Sequence, residues 1–106
     1  MRKSVTDHPE YYNLTGKKEC IEQMLEDYGP YITAIFCLTN SYKYLYRAGH
    51  KEDYDTDIEK AKWYFNFMET RCSSAISAHG KKTMNLYLYV KKKLQNEESK
   101  KKWRRS

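Results

Sequence analysis

The stretch Cys37-Leu38-Thr39-Asn40-Ser41-Tyr42-Lys43-Tyr44-Leu45-Tyr46-Arg47-Ala48-Gly49-His50-Lys51 decides how this chain is read. On a helix, Asn40, Lys43 and Arg47 follow i, i+3, i+7 spacing and project from one face. Counted at about 100° per residue from Ile32, they fall at roughly 80°, 20° and 60°, with Phe36 among them near 40°. Ala34, Ile35, Leu38, Tyr42, Leu45 and Tyr46 fill a second, apolar arc between roughly 200° and 320°. Two cations, an amide and one ring on a single face suit a phosphorylated, ring-bearing ligand.

Moving outward, Gly29-Pro30 ends an earlier helix, expected from near Gly16 to Tyr28 on the stripe Ile21, Met24, Leu25, and starts the helix just described. That helix runs to about Ala48, with Gly49 in the C′ position. After the connector Lys51-Glu52-Asp53-Tyr54-Asp55, Thr56 with Glu59 three residues on matches a capping box. A third helix is therefore expected from Thr56 to about Cys72, with a continuation through Ser73-Ser74 to Ala78. Gly80 separates it from a last helix built on Met84, Leu86, Leu88, Val90 and Leu94. Residues 84–90 also alternate like a strand, but no second convincing strand exists to pair with them. The fold class is all-α: a small bundle of about four helices (16–95), an extended N-terminal arm (1–15) and a basic tail (96–106). A chain of 106 residues makes one domain, and its 11 tyrosines suit either the rim of a core or the interface of a homo-oligomer.

On the third helix, with Asp57 at 0°, Lys60, Tyr64 and Arg71 lie at roughly 300°, 340° and 320°. Ala61, Phe65, Met68 and Cys72 lie between about 20° and 80° and form the expected core stripe. Asp57, Lys60 and Tyr64 border that stripe, while Glu59, Lys62, Asn66 and Glu69 point to solvent. Antiparallel packing of the second and third helices brings Arg47 close to Asp57 and Lys60. Asn40 and Lys43 then lie along the same groove, opposite Tyr64. An Arg47–Asp57 ion pair by itself would be an everyday structural feature. It does not account for Asn40, Lys43, Lys60 and Tyr64 gathering beside it.

The net charge of +6 belongs to one end. Residues 91–106 hold eight Lys and Arg against Glu97 and Glu98, and the other 90 residues carry 12 charges of each sign. No recognised nucleic-acid motif accompanies this tail, so specific nucleic-acid recognition is not expected. Cys20, Cys37 and Cys72 are widely spaced, with no C-x-x-C pair, which tells against a disulfide scaffold or a zinc site. His50 and His79 sit beside glycines and read as structural. No His/Cys/carboxylate cluster has metal-ligand spacing, and neither G-x-x-x-x-G-K-[ST] nor G-x-G-x-x-G occurs. Phosphate binding must therefore rest on side chains and helix ends. The longest clean apolar run, Ala34–Leu38, is too short to cross a bilayer, and Met1–Asp7 holds no signal-peptide core. A cytoplasmic protein without membrane contact is expected.

Four elements of the chain carry a resemblance: His8-Pro9-Glu10-Tyr11; Glu19-Cys20-Ile21-Glu22; Asn40-Ser41-Tyr42-Lys43-Tyr44-Leu45-Tyr46-Arg47-Ala48-Gly49-His50-Lys51; and Thr56-Asp57-Ile58-Glu59-Lys60-Ala61-Lys62-Trp63-Tyr64-Phe65. In order and spacing over residues 7–68, they resemble a family of small phage and prophage proteins described as nucleotide kinase-like. Thr39 departs from the small residue, commonly Gly, that precedes the Asn. Thr56 departs from the Glu that precedes the Asp, which removes one carboxylate. The resemblance implies a phage nucleotide-binding protein in the infected cell's cytoplasm, moving phosphate from a nucleoside triphosphate to a (deoxy)nucleoside monophosphate. It implies Lys43, Arg47 and Asp57 as catalytic, with Asp57 holding Mg²⁺ brought with ATP or positioning the acceptor. It implies His8, Tyr11, Phe36, Asn40, Lys43, Tyr44, Arg47, Lys51, Lys60 and Tyr64 around the nucleotide, with Tyr11, Phe36 or Tyr44 stacking on the base. The alternative is a non-catalytic protein that sequesters a nucleotide, or that inhibits a host or defence protein.

Overall fold

The computed structural model describes residues 19–51, 53–77 and 80–105. Among them are four helices and no strands: α1 (Cys20–Arg47), α2 (Tyr54–Arg71), the single turn α3 (Ser74–Ser77) and α4 (Lys81–Arg105). The all-α expectation holds, and the segment that alternates like a strand is helical. The N-terminal arm falls outside the described residues.

α1 breaks where the sequence says it should. Gly29 has φ +89° and ψ 174°, outside helical space, and Pro30 begins the next turn, where its missing N–H costs nothing. Thr33 Oγ1 donates to the Gly29 carbonyl at 2.9 Å and so satisfies an acceptor at the break. At the far end Gly49, with φ +83°, occupies C′, and a Cβ there would meet the Tyr54 ring at 3.4 Å.

α2 starts earlier than expected. Its N-cap is Asp53, whose carboxylate accepts from the Thr56 amide (3.1 Å) and hydroxyl (3.3 Å). Thr56 is thus the residue being capped, and the Thr56–Glu59 capping box does not form; Glu59 pairs with Lys62 instead at 3.8 Å. An ionised Asp next to the amides of a helix start outcompetes a Thr hydroxyl through the added charge–dipole attraction. α2 ends at Cys72, whose amide donates to the Met68 carbonyl (2.8 Å), so the run to Ala78 is interrupted before the short α3.

α1 and α2 pack antiparallel, fixed at three levels. Arg47 meets Asp57 near the connecting loop, Ser41 Oγ donates to the Ala61 carbonyl (2.8 Å) midway, and Arg71 forms a two-pronged pair with Glu22 (2.8 and 2.9 Å) at the other end. Ala34, Ser41 and Ala61 have no exposed surface, and such small side chains let the two backbones approach closely. α4 crosses both helices, with Val90 and Leu94 in the core beside Leu38, Phe65 and Met68. Lys62–Glu98, Tyr54–Glu97 and Tyr87–Glu69 lace α4 to α2. The helix passes 95/96 without a break, so the residues read as a tail continue α4 and reach back to α2.

The buried arc of α1 is rotated from the expected one. Thr33, Ala34, Cys37, Leu38, Ser41 and Tyr44 are buried, an arc from roughly 100° to 240°, whereas Tyr42 and Tyr46 are exposed and Ile35 and Leu45 only half-buried. The expectation counted tyrosines as apolar bulk. The helix contact selects small residues for close approach and leaves those two phenols in water. On α2 the expected stripe is correct, but Asp57 lies inside it, fully buried, with Tyr64 buried as well.

Candidate functional site

The C-terminal turn of α1 and the N-terminal turns of α2 meet beside the connecting loop. Arg47 lies in the last turn of α1 and Asp57 in the first of α2, each of the sign its helix end favours. Arg47 Nε donates to Asp57 Oδ1 at 3.4 Å, the Arg47 side chain being 24% exposed and that of Asp57 fully enclosed. Asp57 Oδ2 is buried without a hydrogen-bond partner. Burying a carboxylate oxygen without a protein donor is costly, which makes the Arg47 contact the main compensation for this charge.

Tyr44 is the hub. Lys43 Nζ lies 4.5 Å, Arg47 Cζ 4.8 Å and Lys60 Nζ 5.4 Å from its ring centroid. Its ring is 6.1 Å from that of Tyr64, at 10° between planes. Tyr64 in turn meets Phe36 (5.8 Å, 80°) and Trp63 (5.3 Å, 85°) edge to face. The quadrupole of an aromatic face attracts cations, which lets three of them gather in a small space. Burial, with a smaller contribution from Tyr44, pushes the Tyr64 hydroxyl up to about 12, so it stays protonated at neutral pH.

The structure therefore brings together Phe36, Lys43, Tyr44, Arg47, Asp57, Lys60 and Tyr64. Asn40 is on the same face, half-buried, but its Nδ2 donates to the Phe36 carbonyl at 2.9 Å and is tied to its own helix. Lys51 is exposed in the bend after α1. His8 and Tyr11 lie outside the described residues. Tyr44 is packed between Tyr64 and cations, so its face is not an open platform for a base.

The expected Mg²⁺ site can be tested against these residues. Mg²⁺ demands octahedral oxygen ligands and keeps several waters, which needs room and access. Asp57 is a single enclosed carboxylate with one oxygen already on Arg47. Among the described residues no group of three or more His, Cys, Asp or Glu could hold a metal ion. As it stands, Asp57 is closed to a metal ion by its enclosure and its contact with Arg47, and it orients the Arg47 guanidinium.

Two features escaped the sequence reading. A groove of about 480 Å³ opens between α2 and α4, floored by Trp63, Phe65 and Leu94, with Lys62 and Asn66 on its wall. Asn66 is exposed, as read, whereas Lys62 is half-buried, because the position of α4 is not encoded in α2's own periodicity. It is distinct from the Tyr44 cluster. The other is the outward pair Tyr42 and Tyr46, which helical counting places on the apolar arc. Among the described residues no helix is long and apolar enough to cross a membrane.

Fold and site together define a small helical protein with a cation-ringed tyrosine at the junction of its two main helices. The chain belongs to the DUF3310 family, a family of proteins of unknown function whose model matches residues 6–66. That span takes in every member of the Tyr44 cluster and stops before α4. No curated protein and no solved structure matches the chain.

Proposed function

We propose that this is a phage nucleotide-binding protein that transfers phosphate from a nucleoside triphosphate to a (deoxy)nucleoside monophosphate at the Tyr44 cluster. The observation that carries the reading is the convergence of Lys43, Arg47 and Lys60 on one ring, beside the buried carboxylate of Asp57. Phosphoryl transfer asks a protein mainly for positioning and charge neutralisation. A monophosphate oxygen forms a bond to the γ-phosphorus as the bond from that phosphorus to the bridging oxygen breaks, and the diphosphate leaves. Lys43 and Lys60 neutralise the charge spread over the transferred group, and Arg47, oriented by Asp57, adds a directional donor.

The enclosure of Asp57 favours one second reading: a nucleotide is held without turnover, as in sequestration or inhibition of a host or defence protein. Incubation with Mg-ATP and a panel of nucleoside monophosphates, followed by nucleotide chromatography, separates the two. Diphosphates that disappear in Lys43→Ala and Lys60→Ala support transfer. Unconverted nucleotide that stays with the protein and is released on denaturation supports sequestration, and neither conversion nor retention overturns both.

A further inference from the structure

α1 and α4 share an outer face on which three tyrosines stand open to solvent: Tyr46 (78% exposed), Tyr89 (46%) and Tyr42 (44%). They form one array. The Tyr42 and Tyr46 rings lie 6.4 Å apart and nearly parallel, at 10°, and Tyr89 of α4 lies 5.6 Å from Tyr42 at 43°. Lys93 Nζ sits 5.8 Å from the Tyr89 ring centroid. On α4, counted at about 100° per residue from Lys81, Lys82, Tyr89 and Lys93 fall between roughly 80° and 120°, one exposed line along the helix.

The charge of this face is one-sided. Residues 28–51 contain no Asp or Glu, and neither do residues 80–96, which carry Lys81, Lys82, Lys91, Lys92 and Lys93. The acidic side chains of the chain are placed in other segments. Exposed aromatic rings set among cations, with no acidic residue contributed by either helix segment, are complementary to a polyanion whose every unit carries a flat ring.

We propose that the Tyr42–Tyr46–Tyr89 array binds a single-stranded polynucleotide, bases stacking on the tyrosines and backbone phosphates meeting Lys82 and Lys93. A second copy of the chain is the competing occupant of such a face. Two faces to which the described segments of α1 and α4 contribute cations and no carboxylate repel when placed together, which disfavours symmetric self-pairing. Stacking uses the π-face that every base has, so recognition is tolerant of sequence, in keeping with the lack of a sequence-reading motif. The inference does not depend on the Tyr44 cluster.

The test is fluorescence anisotropy of a fluorescein-labelled oligodeoxythymidylate titrated with the full chain at several salt concentrations. The parent raises the anisotropy and binds the single strand more tightly than a duplex of equal length. Tyr46→Ala weakens binding about tenfold, as expected for loss of one stacked base. Lys93→Ala lowers the slope of log K against log salt by about 0.7, one phosphate contact on a single strand. Lys62→Ala, which removes a cation paired with Glu98 on another side of α4, leaves binding unchanged. Circular dichroism confirms that each variant is folded. No binding at low salt, equal binding of duplex, or unchanged affinity in Tyr46→Ala overturns the proposal. So does sedimentation showing a parent oligomer that Tyr46→Ala converts to monomer, which would give the face to a second copy.

Discussion

Tyr44 and Tyr46 are two residues apart on α1, both among lysines and arginines, yet the helix turns one into the core and the other into water. Tyr44 is 9% exposed, packed on Tyr64 and ringed by three cations; Tyr46 is 78% exposed and stacks on the neighbouring Tyr42. The same chemistry thus makes an inward junction in one case and an outward platform in the other. What separates them is the rotation of α1 about its axis, set by Ala34, Ser41 and Ala61 where the helices touch.

The largest effect should come from the inward ring. Tyr44→Ala is expected to cost about 3 kcal/mol of stability, as for other buried aromatic truncations. Tyr46→Ala should stay within about 0.5 kcal/mol. Urea unfolding of both variants checks this, and equal losses would erase the distinction drawn between the two rings.

Next comes the ion pair. Arg47→Ala leaves a buried carboxylate with neither oxygen hydrogen-bonded, expected to cost about 2 kcal/mol, below the usual range for a broken buried pair because Arg47 is partly exposed and the contact is long. Adding Asp57→Asn removes the stranded charge and should recover part of that loss. A double-mutant cycle with no coupling would mean the pair contributes nothing. For the same reason Lys43 and Lys60 probe ligand binding more cleanly than Arg47: their alanine variants should lose nucleotide with little change in melting temperature.

A smaller, graded effect is expected at alkaline pH. Burial pushes Cys37 up to about 12 from 9.0 and Tyr64 up to about 12 from 10.0, and the hydrogen bond to Glu69 does the same for Tyr87. A pKa raised on folding gives stability that is fully present below the unfolded value and lost as pH rises through the folded one. Stability should therefore fall from about pH 9 towards pH 12. Tyr87→Phe should remove part of this pH dependence, as read from urea midpoints across the range. A flat profile would contradict the burial of these groups.

Much of this was legible in the sequence. The Gly29-Pro30 break, the Gly49 stop and the α2 stripe follow from local backbone and periodicity rules, and the meeting of Lys43, Arg47, Asp57 and Lys60 follows from one antiparallel pairing. The helix rotation was not legible, since tyrosine counts equally well as core or surface and only the partner helix decides. Asp57 illustrates the same limit: its place at the edge of a stripe is periodic, but its full enclosure depends on α1. The groove by Trp63 needed α4, whose continuation past residue 95 its charge pattern concealed.

The central claim is that the Tyr44 cluster binds nucleotide phosphate. Isothermal titration calorimetry of ATP and of nucleoside monophosphates into the parent, Lys43→Ala and Lys60→Ala tests it most directly. Saturable binding by the parent, lost in both variants at unchanged melting temperature, is the expected result. Equal binding by all three proteins, or no binding by the parent, would contradict it.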